Sequence, residues 1–561
     1  MLPTNASSFS ELISKNQIII YLVIAILNAT LLFMASFKFI LSMQQSGYKG
    51  KRFFQWVYNK ETPYRVRLML LFLMGFLFFI VLATCFTPIL EKLNENASSY
   101  IGFVAYILFT IIYIDSERSV NAKIPLKITK RLVRLLITYS LVLIGVSFGI
   151  IILINYLAFV VGIELIAILR YALICLMPML IPYLLQIANA INTPTELLIA
   201  GYHYRRGKDK LNKSNVIKIG ITGSFGKTSV KEILKTILSQ KYRVLSTPES
   251  YNTPLGIVIS AKKLDSTHDI FIAEMGARNK GDIKALAELV KPTFGILTGI
   301  NSQHLESFKT MENIQNTKYE LFDYIYKHGG YAVFSADNEG SKMLASRYGS
   351  EKILAGRKAD KGVHATDIEI SKKGTKFKLN IKGEKPITCY TVLLGRHNIT
   401  NICLAAALAY RIGLKPKEIA QGINRIKSVG HRLELLPNNK NIVTIDDSYN
   451  ANVDGARAAM EVLDLFEGRK IVLTPGLIEL GQEQNVANVE FGRILAEHVD
   501  IVIITGKHNA MMLINGLIEG GMEKENIIYA KNLKKGNEEL NAILQKGDIV
   551  LFENDLPDNY N

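Results

Sequence analysis

Gly220-Ile-Thr-Gly-Ser-Phe-Gly-Lys-Thr-Ser229 places three glycines, a lysine and four hydroxyl residues within ten positions. Those residue types suit phosphate. Backbone N–H groups of a glycine turn at a helix N-terminus can wrap phosphate oxygens, Lys227 can reach the terminal phosphates, and the Thr228 hydroxyl can ligate magnesium. Thr222, Gly223, Ser224, Gly226, Lys227, Thr228 and Ser229 are therefore the candidate ATP-binding loop. It is a variant, because the common pattern would place its first glycine at Ile221. Such a loop needs a strand before it and a helix after it. The apolar run 216–221 supplies the strand, and Val230, Ile233, Leu234, Ile237 and Leu238 fall on one face of a helix.

Short apolar runs alternate with amphipathic helices from about residue 214, which predicts an α/β domain with a largely parallel sheet. One run, Phe271-Ile-Ala, ends in Glu274-Met-Gly276. Another, 294–300, ends in Asn301-Ser-Gln-His304-Leu-Glu306. Ligands of such sheets gather outside the carboxyl ends of the strands, so Glu274 and His304 are expected beside the phosphates. Taken singly, Glu274 could end a strand in solvent and His304 could cap a helix.

The 561 residues carry a net charge of +17, with 49% hydrophobic content and a mean hydropathy of +0.19 that hides two unlike halves. The basic residues are not interleaved with aromatics, which argues against a nucleic-acid partner. Cys85, Cys175, Cys389 and Cys403 form no CxxC or zinc spacing, so neither a disulfide framework nor a metal–thiolate site is expected. Apolar segments at about 18–37, 68–87, 100–114, 135–154 and 158–185 predict an α-helical transmembrane domain of about five spans, since a span needs about 20 apolar residues. The last segment is long enough to hide a bend or a sixth span. Basic residues crowd the loops 44–67 and 115–134, whereas 88–99 carries only Lys92. The positive-inside rule then sets the N-terminus outside and the C-terminus, with the phosphate loop, in the cytoplasm, where ATP is. Glu164 and Arg170, in or beside the last segment, receive no role. The predicted organisation is a transmembrane domain (1–190), a basic juxtamembrane linker touching anionic lipid (191–213), a P-loop α/β domain (214–430) and a smaller Rossmann-like α/β domain (431–561).

The pieces between about 214 and 555, in order, resemble the Mur ligase family. They are Thr222-Gly-Ser-Phe-Gly-Lys-Thr-Ser229, Glu274-Met-Gly276, Asn301…His304-Leu-Glu306, Thr317-Lys318-Tyr-Glu320, Gly395-Arg-His-Asn398-Ile-Thr-Asn401, Gly430-His-Arg432, Asp446-Asp447-Ser-Tyr-Asn-Ala-Asn452 and Glu479-Leu-Gly481. Within the family the likeness is greatest to the branch that adds D-alanyl-D-alanine to UDP-N-acetylmuramoyl-tripeptide. The resemblance implies an ATP-dependent, ADP-forming ligase that joins a carboxylate to an amine through an acyl phosphate, with two magnesium ions. It implies that Lys227, Lys318 and His304 are catalytic, and that Thr228 and Glu274 hold the magnesium on ATP. His304 and a carbamylated Lys318 would hold the second ion. Asn398 and Asn401 would meet the adenine, Arg432 the phosphates, Asp447 the ribose, and Asn252 and Thr253 the acyl donor.

Two departures stand out. Apolar segments occupy the place of the family's N-terminal domain, which grips the UDP moiety. After the run Asp548-Ile-Val-Leu-Phe552 the chain reads Glu553-Asn-Asp where the related ligases carry Lys-Gly-Ser. The reading that follows is a membrane-anchored amide ligase of bacterial cell-envelope synthesis, whose carboxylate donor is an envelope precursor, lipid-linked or polymeric, and whose second substrate is an amino acid or peptide amine. A polymerising ligase of the poly-γ-glutamate synthase type, and a membrane transporter or scaffold with a regulatory NTPase domain, are the alternatives.

Overall fold

The computed structural model describes residues 15–58, 126–161, 177–248, 251–359, 362–437, 441–449 and 452–554, with isolated positions between 73 and 114. The chain divides into two compact units, Met1–Ile199 and Ala200–Asn561.

In the first unit, the helices Lys15–Ala35 and Lys130–Val161 pack through Ala25, Ala29 and Leu32 against Leu135, Tyr139 and Leu143. Alanines on the contact face let the two backbones approach. Polar groups inside the unit are paired. Asn28 Nδ2 donates to Ser147 Oγ at 3.0 Å, the Ser36 and Tyr139 hydroxyls lie 2.6 Å apart, and Arg134 meets Glu196 at 2.6 Å. The opposite faces of both helices are apolar and exposed, with Ile19 at 59% and Leu141 at 65%. Asn16–Ala35 and Lys130–Leu157 are long and apolar enough to cross a bilayer. They correspond to the first and fourth expected spans. Apart from isolated positions, the second and third, and residues 162–176 of the fifth, lie outside the described residues; among the described residues two helices reach spanning length, against about five expected spans. The stretch 191–213, expected as a linker, is helical throughout as part of Ile181–Lys213.

The second unit holds two sheets. The first runs β2-β3-β1-β4-β5-β6-β7-β8-β9, with β1 Ile217–Thr222, β2 Val244–Ser246, β3 Ile270–Glu274, β4 Phe294–Leu297, β5 Tyr331–Ser335, β6 Lys352–Gly356, β7 Val363–Ser371, β8 Gly374–Ile381 and β9 Ile387–Thr391. Strands β1 to β7 are parallel to their neighbours, and β8 and β9 turn antiparallel. Only Lys372 and Lys373 join β7 to β8, too short for any crossover, so that pair must be antiparallel. The helix Lys227–Leu238 buries Val230, Ile233, Leu234, Ile237 and Leu238 completely, as their spacing predicts, and packs with Arg396–Ile412. Register places Ile221 beside both Glu274 and Ile296, which lines up the carboxyl ends of β1, β3 and β4.

The second sheet runs β10-β11-β15-β12-β13-β14, with β10 Glu434–Leu435, β11 Val443–Asp447, β12 Lys470–Thr474, β13 Ile501–Thr505, β14 Ile527–Ala530 and β15 Ile549–Glu553. It is parallel apart from the short β10. The last strand inserts between β11 and β12, which sets Glu553 beside Asp447. The helices Gln484–His498 and Ala510–Glu519 touch backbone to backbone at Gly492 and Gly516. A Cβ at Gly516 would run into the Val489 carbonyl, which cannot swing aside. Gly516→Ala is expected to cost roughly 1–3 kcal/mol as overpacking, read as a lower midpoint of thermal unfolding.

Candidate active site

The loop after β1 is shaped by contact with β4. Gly223 and Gly226 have φ of +155° and +74°. A Cβ at Gly223 would collide with Thr298 and sit 3.1 Å from the Gly299 carbonyl oxygen, so glycine is required by close approach as well as by torsion. Ser224 N donates to Gly299 O at 2.8 Å, Thr298 Oγ1 donates to Phe225 O, and Thr222 Oγ1 to Met275 O at 3.1 Å. The helix Lys227–Leu238 begins at Gly226 with no side chain capping it, so its first amides can serve an anion. Lys227 Nζ folds back onto the carbonyls of Gly223 (2.7 Å) and Ser224 (3.0 Å). Burial pulls its ammonium down to about 8, with Glu274 opposing the shift and Arg432 adding to it.

Thr228 and Glu274 meet as expected. Thr228 Oγ1 donates to Glu274 Oε2 at 3.0 Å, and Glu274 is 3% exposed. A hydroxyl and a carboxylate are hard oxygen donors of the kind magnesium takes, so this pair fits the first ion. Sequence reasoning missed the group behind it. Lys231, fully buried, holds Nζ 3.3 Å from Glu274 Oε2 and 3.4 Å from Glu232 Oε1. Its signal was helical spacing, one turn beyond Lys227 and three residues after Thr228. Asn252 Nδ2 reaches Glu274 Oε1 at 3.5 Å. Thr253 instead caps the helix Pro254–Ala261, its hydroxyl accepting from Gly256 N.

Lys318 lies on the helix Met311–Lys327 and is 2% exposed. Burial, and secondly the charge of Lys227, push its ammonium down to about 7. Glu320 accepts from the amides of Gly281 and Lys284, both at 2.8 Å, and so fixes a neighbouring turn. His304, with φ +66°, holds Nδ1 2.6 Å from Glu479 Oε2 of the second-sheet domain. Among the described residues no group of three or more His, Cys, Asp or Glu side chains could hold a metal.

Asn398 Nδ2 donates to Leu394 O at 2.8 Å, and Asn401 Nδ2 to Asn398 Oδ1 at 3.3 Å. The Asn401 carboxamide lies against Gly226, 3.1 Å from where a Cβ would stand, so the asparagine pair flanks the phosphate loop. Ser229 is buried on the first turn of the loop's helix. The Arg432 guanidinium stacks 4.2 Å from the centroid of the Tyr449 ring. Burial pushes the Asp447 carboxyl up to about 6, opposed by Arg432 and the Leu433 amide. Glu553 was also missed. It is wholly buried, neither of its oxygens is hydrogen-bonded, and burial beside Asp447 holds its carboxyl well above the usual range.

The Mur ligase middle domain matches residues 221–409, and the Mur ligase glutamate ligase domain matches 431–553. The UDP-N-acetylmuramoyl-tripeptide–D-alanyl-D-alanine ligase of Escherichia coli is 32% identical over 336 residues, 59% of this chain and 73% of the relative. The Bacillus subtilis ligase of the same name is 28% identical over 338 residues, 60% and 72% of the two chains. Among solved structures, the Thermotoga maritima MurF ligase in complex with ADP aligns with a TM-score of 0.56 at 25% identity, over 63% of this chain and 80% of that one. MurF from Acinetobacter baumannii shares the fold, with a TM-score of 0.59 at 24% identity over 64% and 78%. Fold and site together define an ATP-dependent, ADP-forming carboxylate–amine ligase. The chain belongs to the Mur ligase family and is MurF-like within it.

Lys231→Met leaves Glu274 as a buried charge without its cation, a change that costs roughly 3–5 kcal/mol. The double variant Lys231→Met/Glu274→Gln is expected to recover most of that loss in urea unfolding while failing to bind magnesium.

Proposed function

We propose that this protein is a membrane-anchored amide ligase of bacterial cell-envelope synthesis, which activates a carboxylate with ATP and joins it to the amine of an amino acid or peptide. The observation that carries the reading is the gathering of Lys227, Thr228 and Glu274 at the strand ends, with Lys318 in the field of Lys227. A carboxylate resists nucleophiles, so its oxygen first takes the γ-phosphoryl of ATP and ADP departs. The amine nitrogen then attacks the acyl carbon, the C–N bond forms as the nitrogen gives up a proton, and phosphate leaves with the electrons of the C–O bond and can take that proton. Both steps crowd anionic oxygens, which preorganised cations stabilise. Lys227 would meet the transferred phosphoryl group, and Arg432, whose charge acts on Lys227 from the other domain, would join it there. Asn398 and Asn401 beside the loop would orient the base, and Asp447 the ribose. Asn252 reaches the same carboxylate as Thr228 and would border the acyl donor; Thr253 would act there only through the turn it caps.

Magnesium would be held by Thr228 and Glu274, with a second ion at His304 and a carbamylated Lys318, and would supply charge neutralisation for the phosphate and carboxylate oxygens. A buried amine with a depressed pKa is the form that adds carbon dioxide. Because protonation blocks that addition, carbamate at Lys318 is expected to increase as pH rises through about 7, from roughly a tenth of the amine uncharged at pH 6 to roughly nine-tenths at pH 8. Carbon-13 NMR with labelled bicarbonate checks this, with Lys318→Ala lacking the signal.

The donor, in this reading, is an envelope precursor presented at the membrane face. Both family matches leave residues 1–220 uncovered, and that stretch contains the two helices of spanning length. Tethering enzyme and donor on one surface raises their effective concentration without a nucleotide handle. A multi-pass first unit with cytoplasmic ligase domains follows from the basic loops. Mass spectrometry of membrane lipids and envelope polymers is expected to reveal an amide-linked adduct in cells with the wild-type protein and none with Lys227→Ala. Full activity of the purified protein on UDP-N-acetylmuramoyl-tripeptide, with no membrane adduct, would overturn the tethered-donor reading.

A further inference from the structure

The helix Ile181–Lys213 ends within the second unit, where it packs on the helix Pro254–Ala261. At Gly207 the contact is made by backbone, since a Cβ there would run into the Val258 carbonyl. Leu211, fully buried, shares a core cluster with Ile257, Val258, Ala261 and Leu264. Lys210 Nζ donates to Leu264 O at 2.8 Å and ties the helix end to the chain beyond its partner. Close packing of this kind leaves the two helices one arrangement.

Donor groups collect beside that seam. His203, Arg206 and Lys210 recur at i, i+3 and i+7, which sets them on one face of the helix. Lys262, the residue that ends the partner helix, brings Nζ onto His203 Nδ1 and lies 6.0 Å from the centroid of the Tyr202 ring. Arg206 Nη1 donates to the Tyr202 hydroxyl at 3.1 Å. With the Lys262 ammonium donating to Nδ1, the imidazole keeps its own N–H at Nε2, and the guanidinium has more donors than Tyr202 uses. Acids nearby are engaged elsewhere: Asp265 with Thr267 and His268, and Asp269 with the Arg243 amide. Among the described residues neither Arg206 nor Lys262 pairs with a carboxylate, that of Asp209 on the same helix included. Guanidinium and ammonium groups gathered without an acid suit an anion, and phosphate above others.

One element sets how far this cluster stands from the chemistry. The helix Pro254–Ala261 carries Lys262 just past its last turn and, just before its first, the Asn252 whose Nδ2 reaches Glu274. Its 8 residues span about 12 Å along the axis. We propose that His203, Arg206 and Lys262 bind the phosphate or diphosphate of the carboxylate donor, which is then a phosphorylated molecule whose reacting carboxylate lies about 12 Å from its phosphate. The inference rests on the reading of Asn252 as a border of that donor. A lipid-linked precursor and a soluble nucleotide precursor both carry such a diphosphate. Held at both ends, the donor presents its carboxylate in one orientation, which is what an acyl transfer needs.

The test uses the full-length protein in phosphatidylcholine nanodiscs, with the phosphate loop saturated by a non-hydrolysable ATP analogue. Acetylation of Lys262 by a water-soluble reagent, read by mass spectrometry, reports occupancy, with the exposed Lys372 as reference. The probes are a polyprenyl diphosphate in the disc and UDP-N-acetylmuramoyl-tripeptide in solution; phosphatidylglycerol controls for negative charge in general. Lys262 is expected to lose reactivity with a diphosphate probe and to keep it with phosphatidylglycerol. Protection by the polyprenyl form alone assigns the site to a lipid-linked donor, and protection by the nucleotide alone to a soluble one. His203→Gln and Arg206→Gln should each raise the half-protecting concentration roughly 10-fold. Gly201→Ala, where an added Cβ meets nothing within 4 Å, should leave it unchanged. Undiminished binding of the ATP analogue shows that the variants are folded. No protection by either diphosphate, or equal protection by phosphatidylglycerol, overturns the proposal, even if wild-type cells make the amide adduct. Protection that Arg206→Gln weakens, in a protein that yields no adduct in cells, supports the anion site and removes the ligase reading, so the two fail separately.

Discussion

Two buried ammonium groups, Lys318 lying in the field of Lys227, set the terms for the rest of the ligase unit. Lys227 and Lys318 are both depressed by burial, and Lys318 further by Lys227. Arg432 adds a third positive charge from the opposite domain. Only Glu274 among the carboxylates answers Lys227 directly, and Glu274 is already shared with Thr228 and Lys231. A site so arranged is short of negative charge, and a triphosphate supplies it. The same imbalance makes the ammonium of Lys318 easy to discharge, which a solvated lysine on the same helix would not be.

This electrostatic arrangement is possible because the sheets deliver groups from distant parts of the chain to one edge. The register of β1 with β3 and β4 brings residues 222, 274 and 298 together although they span 76 positions. The second sheet does the same with its last strand, which lies between β11 and β12 and brings Glu553 and Asn554 beside Asp447 and Gly476. Parallel strands point all their carboxyl ends one way, so each sheet has a single functional edge. His304 and Glu479 are where those two edges touch.

Much of this was legible in the sequence, for identifiable reasons. The glycine turn and its helix could be read because close approach excludes side chains and because apolar residues recur with the helical period. Glu274 and His304 could be placed because each ends an apolar run. Lys231 could not, since a lysine on a helix ordinarily points to water, and only the buried carboxylate one strand away reverses that. Glu553 was hidden for a related reason, since its neighbour Asp447 lies 106 positions away; Glu479 stood in a quoted motif, but its partner His304 lies 175 positions away. Thr253 looked like a ligand contact and is engaged as a helix cap, a task for which threonine is equally fitted. The antiparallel turn from β7 to β8 depends on a two-residue connection, Lys372-Lys373, which carries no glycine–asparagine signal.

The first unit poses a different physical problem. Its inward faces bury alanines and leucines and satisfy Asn28, Ser36, Tyr139 and Ser147 with one another, while its outward faces carry exposed isoleucine, leucine and valine. At about 25 cal/mol for each Å² of apolar surface, such faces would be costly in water. Hydrocarbon removes that cost, and polar pairs turned inward are what a helix pair needs when no water remains to serve them. If the first unit lies in lipid as proposed, the chain has placed apolar helices where its relatives' matched regions do not extend, and the acyl donor need not be recognised through a soluble nucleotide. The chemistry would stay in the two sheets, and the choice of carboxylate would pass to the membrane.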